Sequence, residues 1–207
     1  MMRTRVKICG LTRVEDAVEA ARLGVDAIGL VFYPPSPRNI AIEQAVAIVK
    51  ALPAFVSVIG LFVDETEARV CEVLQSVAID CLQFHGDETP EMCRKFGKRY
   101  VKALRMKPGV DIASLAVDYH DADALLLDAY DIDAKGGTGQ AFNWRLIPEI
   151  CALPLILAGG LDTENVRRAI DQVKPYALDV SSGVEISKGV KDARKMAAFI
   201  KEVNKTH

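Results

Sequence analysis

Cys9 and Asp128 are the side chains of this sequence best placed to exchange protons with a small molecule. Each ends a short strand-like segment, residues 5–9 for Cys9 and the apolar run 125–127 before Asp128. A thiol with a pKa near ~8.5 is a few per cent thiolate at neutral pH, and a partly buried carboxyl group can keep its proton there. A lone cysteine is more often a buried structural thiol. The pair therefore predicts acid–base chemistry if the fold brings the two run ends together.

Two segments rich in glycine and serine predict a phosphate site. Gly159-Gly160 and Ser181-Ser182-Gly183 each follow an apolar run directly. Glycine lets the backbone approach a ligand closely, and successive backbone N–H groups can surround an anion, especially at a helix N-terminus. Taken alone, Gly159-Gly160 could equally be a tight turn without a ligand. Together the two segments indicate a phosphorylated small substrate.

Arg38 and His85 are further candidates, and each has an alternative explanation. The planar guanidinium of Arg38 suits a carboxylate, and a surface ion pair is the alternative. His85 follows the fourth apolar run, where a histidine with satisfied hydrogen bonds is the more common case. The glycine-rich stretch 136–139 predicts either a mobile lid or a solvated linker.

The elements that must position these residues follow from the apolar pattern. Short runs rich in Val, Ile and Leu predict eight strands, at residues 5–9, 26–32, 56–62, 79–84, 100–104, 124–127, 154–158 and 177–180. The segments between them repeat apolar residues at helical spacing. Thr12 and Asp64, each followed three residues later by a glutamate, predict N-caps of the first and third helices.

Eight alternating units predict a closed parallel barrel. The 207 residues leave about 26 for each strand and helix, close to the minimum for a parallel crossover, so we expect one domain over residues 1–207. An open doubly wound sheet would use only about five strands and leave three unplaced. A (β/α)₈ TIM barrel is therefore the predicted fold, and it gathers the residues at its strand ends into one active site.

Composition and charge exclude several classes of function. The net charge of −2 offers no excess of positive charge for nucleic acid or a membrane surface. No apolar run approaches the ~18 residues of a membrane span, and residues 1–5 lead into a strand instead of a signal peptide. We therefore expect a soluble, cytoplasmic protein. Five scattered cysteines and three histidines suggest neither a disulfide framework nor a zinc site.

Six motifs in order along the chain resemble those of the phosphoribosylanthranilate isomerases of tryptophan biosynthesis, essentially from end to end. One departure is Asn143, where the family usually has Asp before the tryptophan, and both residue types cap helices well. The motifs are Val6-Lys7-Ile8-Cys9-Gly10-Leu11-Thr12, Phe32 through Ser36-Pro37-Arg38, Leu82-Gln83-Phe84-His85-Gly86, Gly136-Gly137-Thr138-Gly139 with Phe142-Asn143-Trp144, Leu157-Ala158-Gly159-Gly160-Leu161, and Asp179-Val180-Ser181-Ser182-Gly183-Val184-Glu185.

This resemblance implies an Amadori rearrangement of an aminosugar phosphate, carried out with no cofactor and no metal. By analogy Asp128 is the general acid and Cys9 the general base, and Arg38 binds the anthranilate carboxylate. His85 and Asp179 are expected to contact or orient the substrate, and the two glycine–serine segments to hold its phosphate. The expected partner is this small molecule alone, and the expected assembly is a monomer or a homodimer.

The residues alone leave two other functions open. A pentose-phosphate epimerase built on such a barrel would need metal-binding histidines at several strand ends, and only His85 is so placed. A barrel that binds a phosphorylated metabolite without turning it over is the second alternative, and the retention of both Cys9 and Asp128 argues against it.

Overall fold

Parallel strands close into a barrel in the part of the chain that the computed structural model describes, residues 3–107, 109–128, 144, 147–148 and 150–205. Each strand pairs in parallel with the next, and the last pairs with the first, so the predicted TIM barrel is confirmed. Those eight strands are β1 Arg5–Cys9, β2 Ala27–Val31, β3 Ser57–Phe62, β4 Cys81–Phe84, β5 Arg99–Arg105, β6 Ala124–Asp128, β7 Leu155–Ala158 and β8 Ala177–Val180.

Helices cover the outside of this barrel. In the described residues they are α1 Val14–Arg22, α2 Ile42–Ala51, α3 Glu67–Ser76, α4 Pro90–Arg94, α5 Ile112–Asp118, α6 Val166–Val173 and α7 Ala193–Asn204. None of them is long and apolar enough to cross a membrane. The predicted lid at residues 136–139, and Asn143, lie outside the described residues.

Two predicted helix caps are wrong. Helix α1 starts after Arg13 with no side-chain cap, and the hydroxyl of Thr12 instead donates to the carbonyl of Gly189 at 2.5 Å. Helix α3 is capped by Thr66, whose hydroxyl accepts from the backbone N–H of Arg69. Asp64 belongs to the preceding loop, where its φ of +49° and its hydrogen bond from the N–H of Asp87 hold it away from the helix.

Alternation along the strands separates two buried regions. Residues that face outward, such as Ile8 and Leu125, pack beneath the helices in the large apolar core. The inward-facing residues form smaller clusters, one around Leu126 and another at Cys9, Val31 and Leu61. Inward-facing polar side chains are therefore enclosed by apolar ones within the barrel.

A small hairpin follows β8 and folds over the barrel mouth. A 3-10 turn at Ser182–Val184 leads into β9 Glu185–Ser187, which pairs with the antiparallel β10 Val190–Lys191. The hairpin buries the side chains of Glu185 and Lys191 beside the strand ends. It therefore adds a further carboxylate and a further ammonium to the charged groups that the strands already carry.

Candidate active site

A cavity of about 580 Å³ opens at the carboxyl ends of the strands. It is lined by nine of the predicted site residues: Cys9, Arg38, His85, Asp128, Gly159, Gly160, Asp179, Ser181 and Ser182. Gly183 is not part of the lining. The strands, loops and hairpin thus bring residues from six separate stretches of the chain to one concave surface.

The thiol of Cys9 points into the barrel at the end of β1. Gly29 on the neighbouring strand makes room for it, because a Cβ at Gly29 would lie only 2.7 Å from the sulfur and 3.0 Å from Cε of Lys7. Burial raises the pKa of the thiol, and the nearby Lys7 ammonium acts in the opposite direction without reversing the rise. The sulfur is therefore a weakly acidic thiol held close to a fixed positive charge.

Lys7 is a site residue that the sequence did not reveal. Its ammonium lies inside the barrel, 2.7 Å from Oδ2 of Asp179 and 2.9 Å from Oε1 of Gln83. All three side chains are buried. The available signal was positional, since Lys7 lies two residues before Cys9 and so faces the same side of β1. A charge placed inward on a barrel strand needs a partner on another strand.

Asp128, the last residue of β6, is paired with His85, which directly follows β4. Nε2 of His85 is 3.0 Å from Oδ2 of Asp128, and Nδ1 of His85 is 3.1 Å from Nε2 of Gln83. His85 is thus hydrogen-bonded at both ring nitrogens, as expected for a satisfied histidine, and it also lines the cavity. Gln83 is a second site residue that the sequence pattern did not single out.

Arg38 reaches the cavity and forms a two-bond ion pair with Glu185. Its Nε and Nη2 each donate to a carboxylate oxygen of Glu185 at 2.7 Å, and Lys191 donates to the same carboxylate at 2.8 Å. Burial by itself would raise the pKa of Glu185, but the hydrogen bonds from Arg38 and Lys191 outweigh it and lower the pKa. Gly10 leaves room for the Arg38 side chain to reach Glu185, because a Cβ at Gly10 would collide with it.

The loops after β7 and β8 form the glycine and serine wall of the cavity. Gly159 and Gly160 have φ values of +82° and +64°, a conformation that side chains rarely adopt. The hydroxyl of Ser181 donates to the carbonyl of Cys9 at 3.0 Å and so joins this wall to β1. Gly183 packs against the loop after β7, since a Cβ there would collide with the carbonyl oxygen of Leu161.

The arrangement offers a thiol and a carboxyl group at one cavity, with cationic and backbone groups at its rim. Within the described ranges, no cluster of three or more histidine, cysteine or acidic residues could hold a metal ion. Proton transfer on a small, negatively charged substrate is chemistry that these groups can supply.

Comparisons with known proteins agree with this chemistry. A family model described as N-(5'-phosphoribosyl)anthranilate (PRA) isomerase matches residues 6–202. The N-(5'-phosphoribosyl)anthranilate isomerase of Nitrosococcus oceani is 58% identical over 203 residues, covering 98% of each chain. The crystal structure of the Thermotoga maritima enzyme superposes with a TM-score of 0.89 at 41% identity, covering 98% of this chain and 99% of its own.

A further solved structure carries a ligand. It is a phosphoribosylanthranilate isomerase in complex with reduced 1-(o-carboxyphenylamino)-1-deoxyribulose 5-phosphate. That chain is 40% identical to this one, with a TM-score of 0.86 and coverage of 98% of this chain and 99% of its own. On this evidence, the chain belongs to the N-(5'-phosphoribosyl)anthranilate isomerase family.

Proposed function

We propose that this protein converts N-(5'-phosphoribosyl)anthranilate into 1-(2-carboxyphenylamino)-1-deoxyribulose 5-phosphate in tryptophan biosynthesis. The observation that carries the proposal is that Cys9 and Asp128 line one cavity together with Arg38 and the loops after β7 and β8. The substrate has a carboxylate at one end and a phosphate at the other. The cavity has a guanidinium and a glycine–serine wall to receive them.

Asp128 is the proposed general acid. It protonates the ring oxygen of the furanose, the bond between that oxygen and C1' breaks, and the nitrogen lone pair forms an iminium ion at C1'. The positive charge of the iminium makes the proton on C2' more acidic. The first half of the reaction therefore needs one proton at one oxygen atom, which a single carboxyl group can supply.

Cys9 is the proposed general base. Its thiolate removes the C2' proton, and the electron pair of that C–H bond forms the enolamine and neutralises the iminium. The enolamine then tautomerises to the ketone. Nothing is oxidised or reduced, so acid and base groups suffice and we propose that no metal or cofactor takes part. The ammonium of Lys7 beside the sulfur favours the thiolate that this step requires.

The remaining site residues are proposed to bind the substrate. Arg38 binds the anthranilate carboxylate, since its planar guanidinium is already oriented by Glu185. Asp179 and His85 orient the sugar. The phosphate is held by the loop segments Gly159-Gly160 and Ser181-Ser182-Gly183, in which backbone N–H groups act as donors.

The test is a fluorescence assay in which the substrate is formed in place from anthranilate and phosphoribosyl pyrophosphate, with EDTA present. Substrate emission should fall only when the protein is added. Asp128→Asn and Cys9→Ala should each lower kcat by ~10²–10⁴-fold. Asp118→Asn and Cys71→Ala, the same changes outside the cavity, should leave kcat unchanged. A folded protein that binds the substrate without turnover would overturn the proposed activity.

The proposal also covers the domain organisation, the cellular location and the assembly of the protein. We infer that residues 1–207 form one barrel domain that acts in the cytoplasm as a monomer or a homodimer, with the small-molecule substrate as its partner. Light scattering on the purified protein separates the two assemblies. A larger assembly would contradict both.

A further inference from the structure

Five side chains inside the barrel form one hydrogen-bonded series that ends at the proposed acid. It begins with Asp179, which is 2.7 Å from Lys7, and Lys7 is 2.9 Å from Oε1 of Gln83. It continues with Nε2 of Gln83, 3.1 Å from Nδ1 of His85, and ends with Nε2 of His85, 3.0 Å from Asp128. The side of the barrel that holds Cys9 is thereby connected to the side that holds Asp128.

The ammonium of Lys7 fixes the direction of these bonds, because an ammonium can only donate. Gln83 must turn its carbonyl oxygen toward Lys7, so its amide N–H₂ faces His85. Nδ1 of His85 must then accept, which places the proton of the neutral imidazole on Nε2. The opposite orientation of Gln83 would set its N–H₂ against the ammonium, donor against donor.

Burial prevents the series from rearranging. Gln83 is only 1% exposed, so its side-chain amide cannot turn to water if its oxygen and nitrogen face the wrong partners. Lys7 stays a cation, since the Asp179 carboxylate and the Cys9 sulfur more than offset the effect of burial and raise its pKa. The donor and acceptor roles that Lys7 imposes on Gln83 therefore also determine which ring nitrogen of His85 accepts.

We propose that Gln83 is a positioning residue that holds His85 in the tautomer whose Nε2–H donates to Asp128. The inference rests on the proposed function only in naming Asp128 as the acid. Because Nε2–H donates to Oδ2, the proton that Asp128 delivers is assigned to Oδ1. The same N–H stabilises the carboxylate once that proton has moved to the sugar.

Nitrogen NMR on the intact protein labelled with nitrogen-15 histidine tests this directly, because the ring shifts distinguish the two tautomers and the imidazolium. The chain has only three histidines. His85→Asn identifies the signal of His85, and exposed His120 provides a reference within the same spectrum. We expect the wild-type signal of the Nε2–H tautomer near neutral pH. A proton on Nδ1, or on both nitrogens, would overturn the proposal.

Gln83→Glu supplies the second arm of the test. A carboxylate accepts at both oxygens, so Nδ1 of His85 would have to carry a proton, and the NMR signal should change to the Nδ1–H tautomer or the imidazolium. We expect kcat to fall about 10²-fold or more, since a wrong imidazole tautomer costs up to ~10⁴-fold in serine proteases. Gln83→Leu should give a mixture of tautomers.

Gln75→Glu is the matched control, because Gln75 is exposed on α3 and the chemical change is the same. It should leave the tautomer and kcat unchanged. If Gln83→Glu keeps the Nε2–H signal and full kcat, Gln83 does not set the tautomer. If the wild-type protein shows Nε2–H but no isomerase activity, the proposed function fails and the hydrogen-bond assignment stands.

Discussion

Arg38 and Glu185 meet through two parallel hydrogen bonds of 2.7 Å each, although 147 residues separate them in the chain. The side chain of Glu185 is 6% exposed and that of Arg38 is 22% exposed, so the pair forms part of the cavity wall. Lys191 holds the same carboxylate from the hairpin. A substrate carboxylate would therefore meet a guanidinium whose plane is already set.

Glu185→Gln should weaken substrate binding more than chemistry. Arg38 would keep at most one of its two hydrogen bonds, now to a neutral amide oxygen, and would lose its fixed plane, so we expect KM to rise about tenfold while kcat changes less. Steady-state kinetics in the fluorescence assay measure both constants. Glu202→Gln on α7, which interrupts an ion pair with Lys205 at the surface, is the control. A KM equal to that of the wild type would contradict the role given to Glu185.

The protein should lose stability in acid as the Glu185 carboxylate becomes protonated. Its pKa is lowered in the folded protein, since Arg38 and Lys191 outweigh the effect of burial. Its contribution to stability is therefore complete above its ordinary pKa of 4.5 and is lost as the pH falls through the lower folded value. Urea unfolding at a series of pH values should show a shallower acid dependence for Glu185→Gln than for the wild type. Equal slopes would rule out this contribution.

Activity should rise with pH where the Cys9 thiol titrates. Burial raises the pKa of this thiol above 9.0, so few molecules hold the thiolate near neutral pH. We expect kcat/KM to increase about tenfold per pH unit below that pKa, and Lys7→Met to move the rise to higher pH. Thiolate absorbance, compared with Cys9→Ala, measures the titration independently. Cys81 and Cys93 interfere little, because burial raises the pKa of each to about 12. A flat pH profile would contradict the base role.

Lys7 and Asp179 should show strong coupling in a double-mutant cycle. Removing one member of a buried ion pair leaves the other charge without compensation, so Lys7→Met should cost about 3–5 kcal/mol of unfolding free energy. The double variant Lys7→Met with Asp179→Asn should recover part of that loss. Lys95→Met, which removes an exposed ion pair with Glu67, should change stability little. Additive effects of the two substitutions would show that the pair is not coupled.

Gly183→Ala should destabilise the protein through a backbone collision. Its Cβ would meet the carbonyl oxygen of Leu161, and neither backbone can move without shifting the loops after β7 and β8. We expect a loss of about 1–3 kcal/mol and a higher KM. Thermal unfolding and kinetics measure these effects. Ser182→Ala lies in the same segment but adds no atom, because serine already has a Cβ, and it should keep the stability of the wild type. A fully stable Gly183→Ala protein would show that the two loops are not in tight contact.

The barrel was predictable because strands buried on both faces have continuous apolar sequences. The predicted bounds of β1 and β8 agree with the structure, and β4 is two residues shorter at its start than predicted. Thr12 and Asp64 were wrongly predicted as the caps of α1 and α3, because their side chains are typical of N-caps but bond to other loops. Local sequence does not show which of several nearby oxygens a helix start will use.

The site was predictable only in part. Cys9 and Asp128 stand out because each is a side chain capable of proton transfer at the end of a predicted strand. Lys7, Gln83 and Glu185 carry no such sign, because their partners are fixed by strand register and by the hairpin that follows β8 in the chain. Arg38 was expected to face a carboxylate, and in the structure it already binds one from its own chain.

The contact between Lys7 and Asp179 also sets an order of events during synthesis. The two residues are 172 positions apart, in the first and last strands of the barrel. On the ribosome, β1 therefore emerges carrying an ammonium whose counterion has not yet been translated. Enclosing that lysine in an unfinished barrel would be costly, so the first strand gains a stable interior position only when the eighth arrives. The nascent chain should remain open, and dependent on protection from aggregation, until β8 has been translated.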